Sequence, residues 1–135
     1  MVLAATNRPQ DLDEAALRRL TRRIYLPLPD DPARRAIIEY KLKDANHGLS
    51  EEDMVTLVAE TNGYSCADLN FVVKEAAMIP MRELSTEELM NLKDLSKIRP
   101  IALSDFRESI KMNQPSVSKS TLDDFDEWRK QKGAV

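Results

Sequence analysis

Cysteine, histidine and glycine are nearly absent from this 135-residue sequence, and each shortage closes off a class of function. A single cysteine, Cys66, allows no internal disulfide and no cysteine-based zinc site. A single histidine, His47, leaves no histidine cluster for a metal. Three glycines and 5% aromatic residues argue against a strand-rich sandwich or barrel with many tight turns. No apolar run approaches the roughly 18 residues of a membrane span. The first residues, Met1 to Asn7, lack a basic stretch followed by an apolar one of signal-peptide length, so a cytosolic or nuclear location is expected.

What is present is 42% hydrophobic and 32% charged residues, rich in Ala, Leu, Glu, Lys and Arg. That is the composition of one soluble, mainly helical unit. A net charge of −3 supplies no global field for nucleic acid or an anionic membrane, so neither nucleic-acid binding nor membrane insertion is expected. The charge is unevenly placed. Residues 1–45 carry nine basic and seven acidic side chains, residues 46–117 seven and twelve, and residues 118–135 four and four, so the start is positive and the middle negative. The concentrated basic feature is Arg18, Arg19, Arg22 and Arg23.

Along the chain, Val2 to Ala5 reads as a short buried strand stopped by Thr6-Asn7-Arg8-Pro9. Asp11 to Leu20 forms a short helix with acids at its start and arginines at its end. Arg23 to Pro29 reads as a second short strand closed by two prolines. From Asp30 onward the spacing is helical. Asp31 is the expected N-cap of a helix whose apolar face is Ala33, Ala36, Ile37 and Tyr40. Ser50 to Asp53 resembles a capping box leading into Met54, Leu57 and Val58. Ser65 to Asp68 opens the next helix, which carries Leu69, Val72, Val73, Ala76 and Ala77 until Pro80. A short turn follows Ser85. Leu103, Phe106 and Ile110 mark another helix, and Ser118 opens a last one with Leu122, Phe125 and Trp128, ending near Gly133. Two isolated strands cannot bury both their faces, so the N-terminal segment is expected to be part of a larger sheet.

No complete active site is legible in these residues. The sequence has no glycine-rich phosphate loop ending in Gly-Lys-Ser/Thr and no nucleophile paired with a base. Asn7, at the mouth of the first strand, carries an amide able to orient a water beside a phosphate; the plainer reading is a turn. Arg18 and Arg19 end a short helix with forked donors that match phosphate oxygens; the plainer reading is compensation of the helix dipole. Cys66 and His47 read as incidental, Met54 and Met78 as core, and Trp128 with Phe125 and Leu122 as packing or a docking face.

Together these pieces carry a resemblance. Ala5-Thr6-Asn7-Arg8-Pro9, Leu12-Asp13-Glu14-Ala15, Arg18-Arg19-Leu20 and Arg23 to Pro29 closely resemble the second half of an AAA ATPase module. Gly63-Tyr64-Ser65-Cys66-Ala67-Asp68-Leu69 is similar to the Gly-Tyr-Ser-Gly-Ala-Asp-Leu segment of that family's lid, and Glu75-Ala76-Ala77 and Pro80-Met81-Arg82 continue the match. Arg99-Pro100-Ile101, Asp105-Phe106 and Pro115 to Ser118 leading to Trp128 resemble the microtubule-severing branch, fidgetin-like proteins first, then spastin and katanin.

The resemblance implies a mainly α fold: a helical AAA lid over 30–117, a C-terminal helix over 118–135, and a two-strand remnant of the α/β nucleotide-binding subdomain over 1–29. It implies that Asn7 is sensor 1, and that Arg18 and Arg19 are arginine fingers reaching the nucleotide site of the next subunit in a hexamer. Gly63, Ser65, Cys66 and Ala67 would approach the adenine and ribose. ATP with Mg²⁺ is the implied cofactor and tubulin the implied partner, in the cytoplasm on the cytoskeleton or in the nucleus. Both Walker motifs and the pore loops would precede Met1, so the chain alone is expected to be inactive. Cys66 stands where the family usually has glycine, which restricts the backbone there. Two other readings stay open. One is the sister AAA ATPase that disassembles ESCRT filaments, which carries a lid insertion where this chain has a short connection between Met81 and Leu103. The other is a non-catalytic helical interaction module anchored by Leu122, Phe125 and Trp128.

Overall fold

A computed structural model of the chain describes residues 2–90 and 98–133. The chain divides into two compact units, Leu28–Ser116 on the one hand and Met1–Pro27 with Val117–Val135 on the other. Seven α-helices lie among the described residues: α1 (Glu14–Arg19), α2 (Asp31–Leu42), α3 (Glu51–Glu60), α4 (Cys66–Arg82), α5 (Thr86–Met90), α6 (Leu103–Met112) and α7 (Lys119–Lys132). The mainly helical expectation holds. Part of the connection between Met81 and Leu103, residues 91–97, lies outside the described residues.

In the unit Leu28–Ser116, α4 is the central helix. It packs against α2 and α6, and α3 touches the same two helices. The core they enclose is built from Ile38 and Leu42 of α2, Met54 and Leu57 of α3, Leu69, Val72, Val73 and Ala76 of α4, and Phe106 of α6, with Tyr64 and Ile101 from the connections. The i, i+3, i+4 and i+7 spacing of Leu69, Val72, Val73 and Ala76 gives α4 one continuous buried stripe, which is why it occupies the centre. Burying each Leu, Ile or Phe there removes enough apolar surface to contribute about 1.5–3 kcal/mol before entropy is charged against it. The helix starts are fixed by side chains. Ser50 and Asp53 form a reciprocal capping box at α3, and Ser65 and Asp68 form another at α4.

The expected face of α2 is displaced by one residue. Arg34, Ile38 and Leu42 are the buried positions, and Tyr40 is 75% exposed. The cause is Arg34, whose charge hid the stripe in the sequence. Its guanidinium is drawn inside by hydrogen bonds to Pro29 O (2.9 Å), Asp31 Oδ1 (2.6 Å) and Val58 O (3.1 Å). The N-cap is Asp30, with Asp31 already in the helix. Met78 sits on the exposed side of α4 rather than in the core. Nor does α4 stop at Pro80. It runs on to Arg82 with Pro80 buried inside it, at the cost of the one amide donor that proline lacks.

The other unit joins a 3₁₀ turn (Pro9–Asp11), α1 and α7, with α7 against the 3₁₀ turn. The short strands expected over 2–5 and 23–29 form no ladder among the described residues, where the one bridge is His47 with Ile101. A strand is defined by a partner for its amides and carbonyls, and neither segment meets one. Their apolar side chains stand in solvent: Val2 is 83% exposed, Leu3 87%, Ile24 77% and Leu26 85%. Ser118 caps α7 at its start, and Gly133, in the left-handed conformation at φ +63°, ends it.

Candidate functional site

The sequence candidates fall into two groups, one in each unit. In the first, Asn7 is exposed at a bend, just before the 3₁₀ turn. Thr6 Oγ1 accepts a hydrogen bond from the Arg8 amide (3.0 Å), and Arg8 pairs with Asp11 (2.8 Å), so the local geometry is that of a turn with the Asn7 side chain on its outside.

Arg18 and Arg19 occupy the last turn of α1, which Asp13 caps by accepting from Ala16 N (2.7 Å). Arg18 reaches back to Glu14 at 3.2 Å, with both side chains at least 80% exposed, a pair that solvent screens heavily. Arg19 is exposed and has no ion-pair partner among the described residues. The C-terminal carbonyls of α1 are served by a different arginine. Arg23 donates from Nη2 to Leu17 O and from Nη1 to Lys132 O, both at 2.8 Å, so one guanidinium closes the ends of α1 and α7. Compensation of the α1 terminus is therefore supplied without Arg18 or Arg19, which weakens the plainer explanation of that pair. Tyr25 continues the same side of the unit. Its ring lies 6.5 Å from that of Phe125, with the Arg129 guanidinium 5.6 Å from its centroid. Trp128 lines a shallow recess of about 250 Å³ with Gln10, Asp124, Glu127 and Gln131.

The second group is contiguous. Gly63 turns the chain between α3 and α4 at φ +83°, a conformation only glycine adopts without strain, although a Cβ there would meet nothing within 4 Å. Tyr64 is buried and anchors the turn from inside. Ser65 is the N-cap, and Cys66 and Ala67, the first two helical residues, are exposed. Their amides belong to the helix end that lacks intrahelical acceptors, so this tip offers N–H donors and a small, open surface. Such a set fits edge contact with a polar heterocycle or sugar. It carries no lysine or arginine to pair with a triphosphate, and no group of three or more His, Cys, Asp or Glu able to hold a metal exists among the described residues.

Long-range ties that the sequence did not show organise this region. Asp68, 6% exposed, receives Ser65 N (2.9 Å), Ser65 Oγ (2.8 Å), Ser116 N (3.2 Å) and Ser116 Oγ (3.0 Å) on one oxygen. Burial opposes its ionised form, but those donors outweigh it and leave its pKa below the ordinary aspartate value. Tyr64 donates its hydroxyl to Asn113 O at 2.6 Å; burial, then the nearby Asp68 charge, push its pKa up. Arg99 forks between the two oxygens of buried Asp105 (2.8 Å each) and the carboxylate of Glu83, joining the end of α4 to the start of α6. That guanidinium, against the cost of burial and aided by the Ala102 amide, holds Asp105 below the usual carboxylate range. The Ser-x-x-Asp pattern pointed to the capping role of Asp68; its second partner, 48 residues later, left no local mark.

Residues 51–97 match the family of the AAA+ lid domain. Spastin of Naegleria gruberi is 43% identical over 133 residues, which is 98% of this chain and 25% of that protein. The crystal structure of the FIGL-1 AAA domain in complex with ADP superposes with a TM-score of 0.90 at 35% identity, covering 96% of this chain and 44% of the other. A structure described as the basis for katanin self-assembly gives a TM-score of 0.74 at 31% identity, over 89% of this chain and 43% of the other. The chain thus spans about a quarter of the length of the spastin it matches.

Proposed function

Because the chain matches the C-terminal portion of AAA ATPases of the spastin, katanin and fidgetin-like type, we propose that it is the lid-bearing part of an ATP-hydrolysing, ring-forming enzyme that acts on microtubules. In this reading residues 1–29 complete the large ATPase subdomain, 30–117 form the lid, and 118–135 form a terminal helix that supports assembly. Val2, Leu3, Ile24 and Leu26, exposed here, would be covered by the rest of that subdomain's sheet.

The observation that carries the proposal is the exposure of Arg18 and Arg19 at the tip of α1, where Arg18 has only a solvent-screened pair with Glu14 and the helix end is capped by Arg23. Two exposed guanidinium groups, neither needed to close the helix end, are suited to charge that develops elsewhere, on the γ-phosphate of the neighbouring subunit's nucleotide. Asn7 would position the attacking water as sensor 1. Gly63, Ser65, Cys66 and Ala67 would meet the base and ribose of a bound nucleotide; the FIGL-1 AAA domain is a relative solved in complex with ADP. ATP and Mg²⁺ supply the phosphoryl chemistry when bound, and the residues that hold the phosphates and metal are not among those of this chain. Hexamer formation agrees with the self-assembly described for katanin. Action on tubulin and a cytoplasmic location rest on the family alone.

In the intact ATPase, Arg18→Ala and Arg19→Ala are each expected to lower turnover by about 10³-fold or more, the scale of an arginine finger, with nucleotide affinity nearly unchanged. Near-normal turnover in both variants would reject the assignment.

A further inference from the structure

The segment that leaves α6, residues 113–116, is tied down at both ends, and both ties come from the turn that opens α4. Tyr64 holds the carbonyl of Asn113 at 2.6 Å, and Asp68 holds the amide and hydroxyl of Ser116 at 3.2 and 3.0 Å. Between them Asn113 keeps a buried side-chain Nδ2 with no partner. A buried donor left without a partner is unfavourable, so the segment is held against a local penalty rather than resting in its best arrangement. The four donors on Asp68 Oδ2, two from Ser65 and two from Ser116, share one acceptor. Whatever orders the Ser65 side of that carboxylate also orders it for Ser116.

We propose that Asp68 is a positioning residue that latches the 113–116 segment to the 63–67 turn, so that a nucleotide seated on the turn tightens the segment leading to α7. The latch rests on the reading of 63–67 as the nucleotide-facing tip. Ligand contact would remove motion from Gly63 to Ala67, fix the Asp68 carboxylate, and leave less entropy to be lost when Ser116 docks. Ser116 is two residues before the α7 N-cap Ser118, so the covalent path onward is short.

Hydrogen exchange in the intact ATPase, with and without ADP, reads this directly because the Ser116 amide is itself one of the latching donors. ADP is expected to slow exchange across 64–69 and at Ser116, the latter at least about fivefold, the lower end of ordinary coupling between sites. Ser116→Ala keeps the amide but removes the hydroxyl donor, and is expected to lose the ADP-dependent slowing at 116 while weakening ADP binding by no more than the same roughly fivefold coupling factor. Ser116→Thr restores the hydroxyl and the response. Protection at 64–69 with none at 116, or a full response in Ser116→Ala, overturns the latch and leaves the nucleotide-facing reading standing. Bound ADP that protects neither region overturns that reading and the latch together.

Discussion

The two units of this chain differ in what they own. Every fully buried residue among those described belongs to Leu28–Ser116, where four helices close over Phe106, Leu69 and Leu57 with no exposure at all. The unit formed by the two ends of the chain buries no described residue completely and leaves Val2, Leu3, Ile24 and Leu26 in solvent, held by polar and aromatic contacts around Arg23 and Tyr25. A continuous apolar core makes the first self-sufficient; the second has helix caps and a guanidinium bracket without the apolar burial that dominates folding. The residues proposed for phosphate chemistry sit in the less buried unit, and those proposed for the base sit in the one with the core.

The sharpest way to break the comparison is to hollow the core. Phe106→Ala is expected to cost the helical unit about 3–5 kcal/mol, measured as a shift in the far-ultraviolet circular dichroism transition in urea. Trp128, the single tryptophan, reports the other unit. Its fluorescence is expected to change at lower urea than the dichroism and to move much less in the variant. Coincident transitions shifted equally would show that the two units fold as one.

Acid tests the same contrast. Asp68 and Asp105 both have folded pKa values below the ordinary aspartate value. The stability they confer is therefore complete above about pH 4 and is lost as pH falls through their lowered folded values. The dichroism midpoint is expected to drop in that window, and Asp105→Asn is expected to flatten the drop while lowering stability at neutral pH. A smaller effect is expected at the guanidinium bracket. Arg23→Ala removes two hydrogen bonds from a charged donor and is expected to cost the terminal unit about 1–2 kcal/mol, read by Trp128 fluorescence, with the dichroism midpoint little changed.

The α3, α4 and α6 helices were legible because their apolar spacing and caps are local signals: Ser50 and Ser65 three residues before an aspartate, and Leu69, Val72, Val73 and Ala76 on one stripe. The buried face of α2 was not, because a charged residue that is hydrogen-bonded inside looks like a surface residue in sequence. The strands over 2–5 and 23–29 have strand composition, but pairing is a property of neighbours and cannot be read from either segment alone. At the candidate site, the motif positions stood out through resemblance. The ties from Asp68 to Ser116 and from Arg99 to Asp105 and Glu83 emerged only in three dimensions, since they join residues by folding rather than by period.

Turnover in mixed assemblies probes the arginines most directly. One subunit type would carry Arg18→Ala with Arg19→Ala and an intact nucleotide site; the other would keep both arginines but be unable to bind nucleotide. Each alone is expected to be inactive, and mixing them is expected to restore hydrolysis, because a donor of arginines then stands beside a filled site. Mixed rings that form and stay silent would contradict the assignment of Arg18 and Arg19 to the neighbouring subunit's chemistry.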